Sequence, residues 1–265
     1  MKQKKKQKLI QSSPGKILRR KFFIVFFMTA VAISIAFSFL FFFRVEKISV
    51  LNNQKIMTDE ILAAADIASG SHMLSVNAKK AESSVLLLSS YIKSVQVKRH
   101  FPSEFVIEME EYTADFYVEI DEKYYLVTDT LLVLEEISES ELSDTHAAEL
   151  RLPDVNTDEE KFGIGKKIIF SKKSDRERIA LLMKTFSESN LFDSFTKLYL
   201  DEEANLTAVV NGQYTIKFGN KKGLEKKLSL CEEALKYLSE NMPSITGTLY
   251  AWTDEKVTFE INGVT

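Results

Sequence analysis

The chain has 265 residues, of which 35 are Lys or Arg and 38 are Asp or Glu, and its formal net charge is −3. A hydrophobic fraction of 45% excludes a wholly disordered chain, and a single cysteine, Cys231, excludes a disulfide framework within the chain or a multi-cysteine zinc site. The three histidines lie far apart and have no metal-ligand spacing, so we expect neither a metal nor another cofactor.

The charges are distributed unevenly along the chain. Residues 1–21 contain nine Lys or Arg and no acid, and residues 22–43 contain no charged residue. The other 26 basic residues and all 38 acidic residues lie in 44–265, so this segment has a net charge of −12. An acidic body disfavours nucleic-acid binding.

The uncharged stretch 22–43 predicts a transmembrane helix. At about 1.5 Å per residue it extends roughly 33 Å, enough to cross a hydrocarbon core of about 30 Å. A cleaved signal peptide has a shorter apolar region and small residues at its cleavage site. This stretch is longer, ends in Phe43 and is followed directly by Arg44. We therefore expect an uncleaved anchor with a cytoplasmic basic tail, 1–21, and an extracytoplasmic body, because positive charge stays inside.

Two features of the anchor leave alternatives open. The basic tail either lies on anionic lipid headgroups or serves only to set the topology. Within the helix, Ala30, Ser34 and Ser38 recur every four residues and form a stripe of small side chains. Such a stripe permits close approach of a second transmembrane helix, so these three residues are candidate packing positions.

Residues 44–113 read as a small domain of order β-α-α-β-β. Strands are predicted over 45–51, 94–100 and 104–110, with helices starting at Thr58 and Asn77, both predicted as N-caps. Phe101 and Pro102 form the turn between the last two strands. We expect a three-stranded sheet with both helices on one face.

This segment resembles the POTRA domain of the bacterial cell-division proteins FtsQ and DivIB. The opening family pattern, V-x-x-I-x-V-x-x-N, is matched by Val45, Ile48, Val50 and Asn53. The V-x-V-x-R-x-[WF]-P pattern is matched by Val95, Val97, Arg99, Phe101 and Pro102. The third pattern, E-[RY]-x-P-x-A, is degraded, since Thr113 stands near its usual proline. Arg99, Phe101 and Pro102 are interpreted as strand and turn determinants rather than catalytic groups.

Residues 114–262 predict a second, mostly antiparallel β domain with two helices. Its first hairpin turns at 121–123, and the following stretch resembles the family pattern Y-x-L-V-D-x-x-G-x-V-L. Leu131 or Leu132 replaces the glycine of that pattern, so a locally different turn is expected. Residues 135–149 are rich in acids and predict a mobile loop.

Both helices of this domain have a recognisable apolar face. The first follows a predicted capping box at 174–177 and buries a periodic set: Ile179, Leu182, Met183 and Phe186. Three strands follow, with Asn211 and Gly212 in the second hairpin turn. The next segment resembles the family pattern V-x-[FL]-G-x-x-x-x-L-x-x-K-[LI], matched by Ile216, Phe218, Gly219, Leu224, Lys227 and Leu228. Cys231 is predicted to be a small core residue of the second helix.

The chain ends in two predicted strands, 247–252 and 256–261, before a short tail, 263–265. In the FtsQ/DivIB family this region is a sheet edge that receives a strand from a coiled-coil partner, FtsB or DivIC. The resemblance therefore implies a partner-binding set: Thr248, Tyr250, Trp252, Val257 and Phe259. The alternative for Tyr250 and Trp252 is packing in the core of their own domain.

The fold class implied is α+β: a single N-terminal transmembrane helix, a POTRA domain over 44–113 and a β domain over 114–262. The resemblance implies a non-enzymatic division scaffold of the plasma (inner) membrane, located at the septum. Its implied partners are FtsB/DivIC-like and FtsL-like proteins, other division proteins and membrane lipid, without nucleic acid. Two alternatives are an extracytoplasmic enzyme, for which no nucleophile–histidine motif is present, and a POTRA chaperone, which normally carries repeated units.

Overall fold

The computed structural model describes residues 14–262, without the side chains of residues 14–18 and Leu40. Residues 1–13 of the predicted basic tail and the predicted C-terminal tail, 263–265, lie outside the described residues. The predicted α+β fold class is confirmed, and the described residues divide into two compact units, the first of which begins with a long apolar helix. The first unit comprises 14–88 with 94–110, and the second comprises 89–93 with 111–262.

Helix α1 (Pro14–Phe42) covers residues 22–42 of the predicted membrane anchor, 22–43. Within it, Arg19–Phe39 is long and apolar enough to cross a membrane, and its most apolar part is not buried by the rest of the protein. The helix starts eight residues before the uncharged stretch. Ala30, Ser34 and Ser38 are exposed on it, and their four-residue spacing places them on one face. Their role in packing stays a prediction.

The rest of the first unit has the predicted β-α-α-β-β order. Its elements are β1 (Lys47–Leu51), α2 (Thr58–Ala65), α3 (Ala78–Leu86), β2 (Ile92–His100) and β3 (Glu104–Glu111). The sheet order is β1-β3-β2, and β1 runs parallel to β3. Alternate residues of β3, including Phe105 and Ile107, are fully buried with Ile61 of α2 and Val85 of α3.

Only one of the two predicted N-caps in this unit is confirmed. The side chain of Asn77 accepts a hydrogen bond from the Lys80 N–H (3.2 Å) at the start of α3. Thr58 is instead the first residue of α2, and the N-cap position is held by Met57. The Asn53 amide donates to Thr58 Oγ1 (3.1 Å), so this hydroxyl joins the turn before the helix.

The second unit is a nine-stranded mixed sheet with two helices. Its strands are β4 (Phe116–Ile120), β5 (Lys123–Val127), β6 (Val133–Ile137), β7 (Ala148–Arg151), β8 (Phe195–Tyr199), β9 (Leu206–Val210), β10 (Tyr214–Gly219), β11 (Gly247–Tyr250) and β12 (Thr258–Ile261). The order is β12-β11-β10-β9-β8-β7-β4-β5-β6. The pairs β10–β11, β4–β7 and β7–β8 are parallel, and the other pairs are antiparallel.

Helices α4 (Lys173–Ser187) and α5 (Leu224–Asn241) complete one hydrophobic core with this sheet. The predicted apolar face of α4 is confirmed, since Ile179, Leu182, Met183 and Phe186 are all buried. Cys231 is buried on α5, as predicted. The opposite face of the sheet carries polar and aromatic side chains, such as Arg151, whose guanidinium lies 4.2 Å from the centre of the Tyr199 ring. Core packing on one face leaves the other face free for polar contacts.

Three local predictions in this unit are wrong. Residues 135–149 are not a structureless loop: they include most of β6, a 3₁₀ helix at Glu139–Asp144 and the start of β7. The backbone N–H of Ser138 donates to Glu141 Oε2 (2.8 Å) and fastens that short helix. Leu131 itself takes a φ of +61°, so the turn keeps a conformation that favours glycine. Finally, α4 begins at Lys173, so the capping box predicted at 174–177 is absent.

Candidate partner-binding edge

The C-terminal strand β12 lies at the edge of the nine-stranded sheet. It pairs with β11 in antiparallel register, with Thr248 opposite Glu260 and Leu249 opposite Phe259. The Asn262 N–H donates to the Thr246 carbonyl (3.0 Å), so Thr246 and Asn262 form a hydrogen-bonded pair of the antiparallel ladder. Because such pairs alternate along an antiparallel ladder, the backbone N–H and C=O groups of Phe259 and Ile261 point away from β11.

No strand within residues 14–262 pairs with the outer side of β12. An edge of this kind presents unpaired backbone donors and acceptors to any strand that approaches. The edge position that the family resemblance implied is therefore present in the structure.

Tyr250 lies on the polar face of the sheet, next to this edge. Its hydroxyl donates to Glu260 Oε2 on β12 (2.9 Å), and the Lys217 ammonium of β10 lies 5.6 Å from the centre of its ring. The hydrogen bond to the carboxylate raises the pKa of Tyr250 above its ordinary value, because it favours the protonated phenol. Tyr250 is thus held by neighbours on both sides and presents a fixed ring.

Trp252 follows just after β11 and is 54% exposed. Its ring lies 5.8 Å from that of Tyr250, centre to centre, and covers Gly219 at the end of β10. A Cβ on Gly219 would come within 2.9 Å of Trp252 Cε3. The alternative that Trp252 packs in the domain core is not what the structure shows, because half of the side chain faces solvent.

Val257 and Phe259 lie on the core side of the sheet. Both are partly buried against the hydrophobic core, and the Phe259 ring lies 6.3 Å from that of Tyr214. A Cβ on Gly247 would come within 2.5 Å of Phe259, so the absence of a side chain there makes room for the ring. The five predicted residues therefore lie on two faces of the sheet. Thr248, Tyr250 and Trp252 share the polar face, whereas Val257 and Phe259 pack against the core on the other face.

Sequence reasoning missed Lys217 and Glu260, which contact Tyr250 on the polar face, and did not connect Gly219 of the family pattern with Trp252. Lys217 pairs with Tyr250 across the parallel β10–β11 ladder. The alternation of β10 places Lys217 and Thr215 on one side, but only the strand pairing tells which residue of β11 each one meets. These neighbours therefore required the tertiary structure.

The three POTRA-motif residues have structural contacts in the first unit. Arg99 donates to the carbonyls of Met73 (3.2 Å) and Val76 (2.7 Å), so it holds the loop before α3. Pro102 forms a cis peptide bond with Phe101. The Phe101 ring is 56% exposed and contacts Phe43 at 5.6 Å, centre to centre.

Comparison with known proteins supports the resemblance over most of the chain. The family model for the POTRA domain, FtsQ-type, matches residues 43–112. Cell division protein DivIB of Clostridium tetani is 29% identical over 94 residues, 36% of this chain and 35% of that protein. Cell division protein FtsQ of Syntrophotalea carbinolica is 35% identical over 85 residues, 32% of this chain and 30% of that protein.

A third similarity extends beyond the first domain. Cell division protein DivIB of Clostridium botulinum (strain Hall) is 25% identical over 237 residues, 88% of this chain and 84% of that protein. The matches to the first two relatives span only about a third of the length of those proteins. The matched POTRA domain, the similarity to DivIB over 88% of this chain and the α+β fold together support the FtsQ/DivIB family.

Proposed function

We propose that this protein is a non-enzymatic scaffold of the cell-division machinery. It holds FtsB/DivIC-like and FtsL-like membrane proteins at the septum and through them regulates septal peptidoglycan synthesis. The observation that carries this proposal is the open edge of β12, bordered by the exposed side chain of Trp252 and by Tyr250. The names of the relatives, all cell division proteins, support the same role.

Binding proceeds by addition of a partner strand to β12. The outward backbone groups of Phe259 and Ile261 provide hydrogen bonds, which are independent of the partner's side chains. Tyr250 and Trp252 provide the specific contacts, because large rigid aromatic groups lose little conformational entropy on binding and bury much area. The chain makes and breaks no covalent bond in this role.

The cellular location follows from the anchor. With the basic tail in the cytoplasm and 44–265 outside the membrane, the edge is available to the extracytoplasmic parts of other membrane-anchored proteins. Other division proteins and the septal position belong to the same proposal.

The test is a pull-down from detergent-solubilised dividing cells with the full-length, affinity-tagged chain. Ile261→Pro removes one outward N–H without removing a hydrogen bond to β11, since proline is tolerated on an edge strand at such a position. We expect recovery of the DivIC/FtsL-like pair to fall by about tenfold, the equivalent of about 1.4 kcal/mol. Ile261→Ala keeps the N–H and is the matched control, which should retain the pair.

Unfolding must be measured for both variants, so that a loss of binding is not a loss of fold. Equal recovery with Ile261→Pro and Ile261→Ala would refute the edge as the binding site while leaving a scaffold role. If the unmodified chain retrieves no division protein, the scaffold role itself is wrong.

A further inference from the structure

Within the first unit, only four residues separate the anchor helix from the first strand, and hydrogen bonds hold them in place. Helix α1 ends at Phe42 and β1 begins at Lys47. Between them, the Phe43 carbonyl accepts from the Met73 N–H (2.8 Å), and Val45 exchanges backbone hydrogen bonds with Gly70 (2.7 Å) and Ser71 (2.9 Å). The loop 70–75 is therefore fastened to the point at which the chain leaves the helix.

Aromatic contacts extend this attachment to a second loop. The Phe39 ring lies 5.3 Å from the His72 ring and 4.6 Å from the Phe43 ring, centre to centre. The Phe43 ring in turn contacts Phe101 in the turn between β2 and β3, edge to face at 5.6 Å. The last turn of α1 thus touches both the loop 70–75 and the turn 101–103.

The length of the apolar span sets the depth of these contacts. The uncharged stretch 22–43 extends about 33 Å and so covers a hydrocarbon core of about 30 Å. Phe43 then lies at the outer boundary of the hydrocarbon, and Phe39 lies one helical turn deeper. Side chains that touch Phe39 and Phe43 are therefore at the boundary between the hydrocarbon and the lipid headgroups.

Both loops present an apolar side chain outward. Phe101 is 56% exposed and Leu74 is 55% exposed, although the adjoining Met73 is fully buried. Arg44 stands beside them, with its guanidinium donating to the Gly70 carbonyl (3.4 Å). Exposed apolar groups beside a cation at this depth are typical of a surface that lies in the membrane interface.

We propose that the loop 70–75 and the turn 101–103 form a membrane-contact surface, with Leu74 and Phe101 inserted among the outer headgroups of the bilayer that α1 crosses. The occupant is the lipid itself, because the surface is continuous with the span and lies at its outer end. The surface would fix the orientation of the domain relative to the bilayer. It rests on α1 spanning a membrane and does not depend on the partner-binding edge.

The experiment uses the full chain in lipid nanodiscs, with a nitroxide label on one introduced cysteine at a time. Leu74→Cys and Phe101→Cys report on the two loops. Leu51→Cys is the matched control: it is also an exposed apolar position, but it lies at the other end of β1, about 13 Å along the strand. The buried Cys231 should leave the unmodified chain unlabelled.

Accessibility to oxygen, which concentrates in lipid, is compared with accessibility to a water-soluble nickel complex. We expect an oxygen-to-nickel ratio about threefold higher at positions 74 and 101 than at position 51, as for side chains that leave water for the interface. Ratios equal to that of Leu51→Cys would overturn the proposal. Labels shielded from both reagents would also overturn it, since they would indicate that a second copy of the chain covers the surface.

Discussion

Lys227 shows how a charged residue occupies a buried position in this protein. Its side chain is 1% exposed, and its ammonium donates to the carbonyls of Phe218 (2.8 Å) and Asn220 (3.0 Å). Burial lowers the pKa of Lys227, because removal from water disfavours the charged form. The lysine of the family pattern therefore has a structural role: it donates hydrogen bonds to two backbone carbonyls at the end of β10.

Replacement of this lysine should destabilise the second unit. Lys227→Met keeps most of the side-chain volume but leaves both carbonyls without this donor, at a cost of about 3 kcal/mol. For a unit of this size the melting temperature should fall by roughly 6–12 °C, which thermal unfolding in detergent would measure. The neighbouring Lys226 is exposed, and Lys226→Met should change the melting temperature little. Equal effects of the two substitutions would refute the role assigned to Lys227.

The end of β10 and the end of β11 meet through a glycine and a tryptophan. Gly219 has a φ of +68°, and the Trp252 ring occupies the space that a side chain would need. Gly212 also has a positive φ, of +67°, but nothing lies within 4 Å of its missing Cβ. A side chain at Gly212 would therefore cause backbone strain alone, whereas a side chain at Gly219 would also clash with Trp252.

Substitution of these glycines should give different losses. Gly212→Ala introduces only backbone strain and should cost about 1 kcal/mol, whereas Gly219→Ala adds a clash and should cost about 2–3 kcal/mol. In a Trp252→Ala background the clash is absent, so the cost of Gly219→Ala should fall to that of Gly212→Ala. Thermal unfolding followed by circular dichroism measures all four changes. An unchanged cost in the Trp252→Ala background would show that Trp252 does not rest on Gly219.

At the scale of the whole molecule, the anchor divides a basic tail from an acidic body. The tail, 1–21, has nine positive charges and the remaining segment has a net charge of −12. This asymmetry favours a single orientation in the membrane, with the tail in the cytoplasm. In the proposed orientation, residues 44–265 lie on the other side, where a solitary buried thiol is compatible with an oxidising environment.

Thiol labelling of intact cells would test this orientation. Burial raises the pKa of Cys231 to about 12, so this thiol should not react with a membrane-impermeant maleimide in the folded chain. A cysteine at the exposed Leu181 (Leu181→Cys) should react in intact cells with a permeable outer wall. A cysteine in the tail (Gln7→Cys) should react only after the membrane is permeabilised. Labelling of Gln7→Cys alone in intact cells would reverse the assigned topology.

The parts of the fold that the sequence predicted are those with a local signal. The apolar length of α1, the alternation in β3 and the helical spacing of Ile179 to Phe186 each follow from one element's own period. The sequence-based errors have equally specific causes. The acids of residues 135–149 predict a loop, yet in β6 they follow the buried Val133 and Leu134, with Glu135 half-buried and Glu136 exposed. At Leu131, a leucine takes a conformation that propensity assigns to glycine, because its side chain is buried in the core.

The candidate site divides in the same way. The amino-acid sequence alone determined that the chain has a membrane-spanning segment, two strands at its C-terminus and aromatic residues within them, since hydrophobicity and periodicity act over short distances. Only the tertiary structure decided that β12 is an edge, that Lys217 and Glu260 flank Tyr250, and that Val257 and Phe259 face the core. Strand order and register depend on the packing of residues far apart in the chain, and no single segment encodes them.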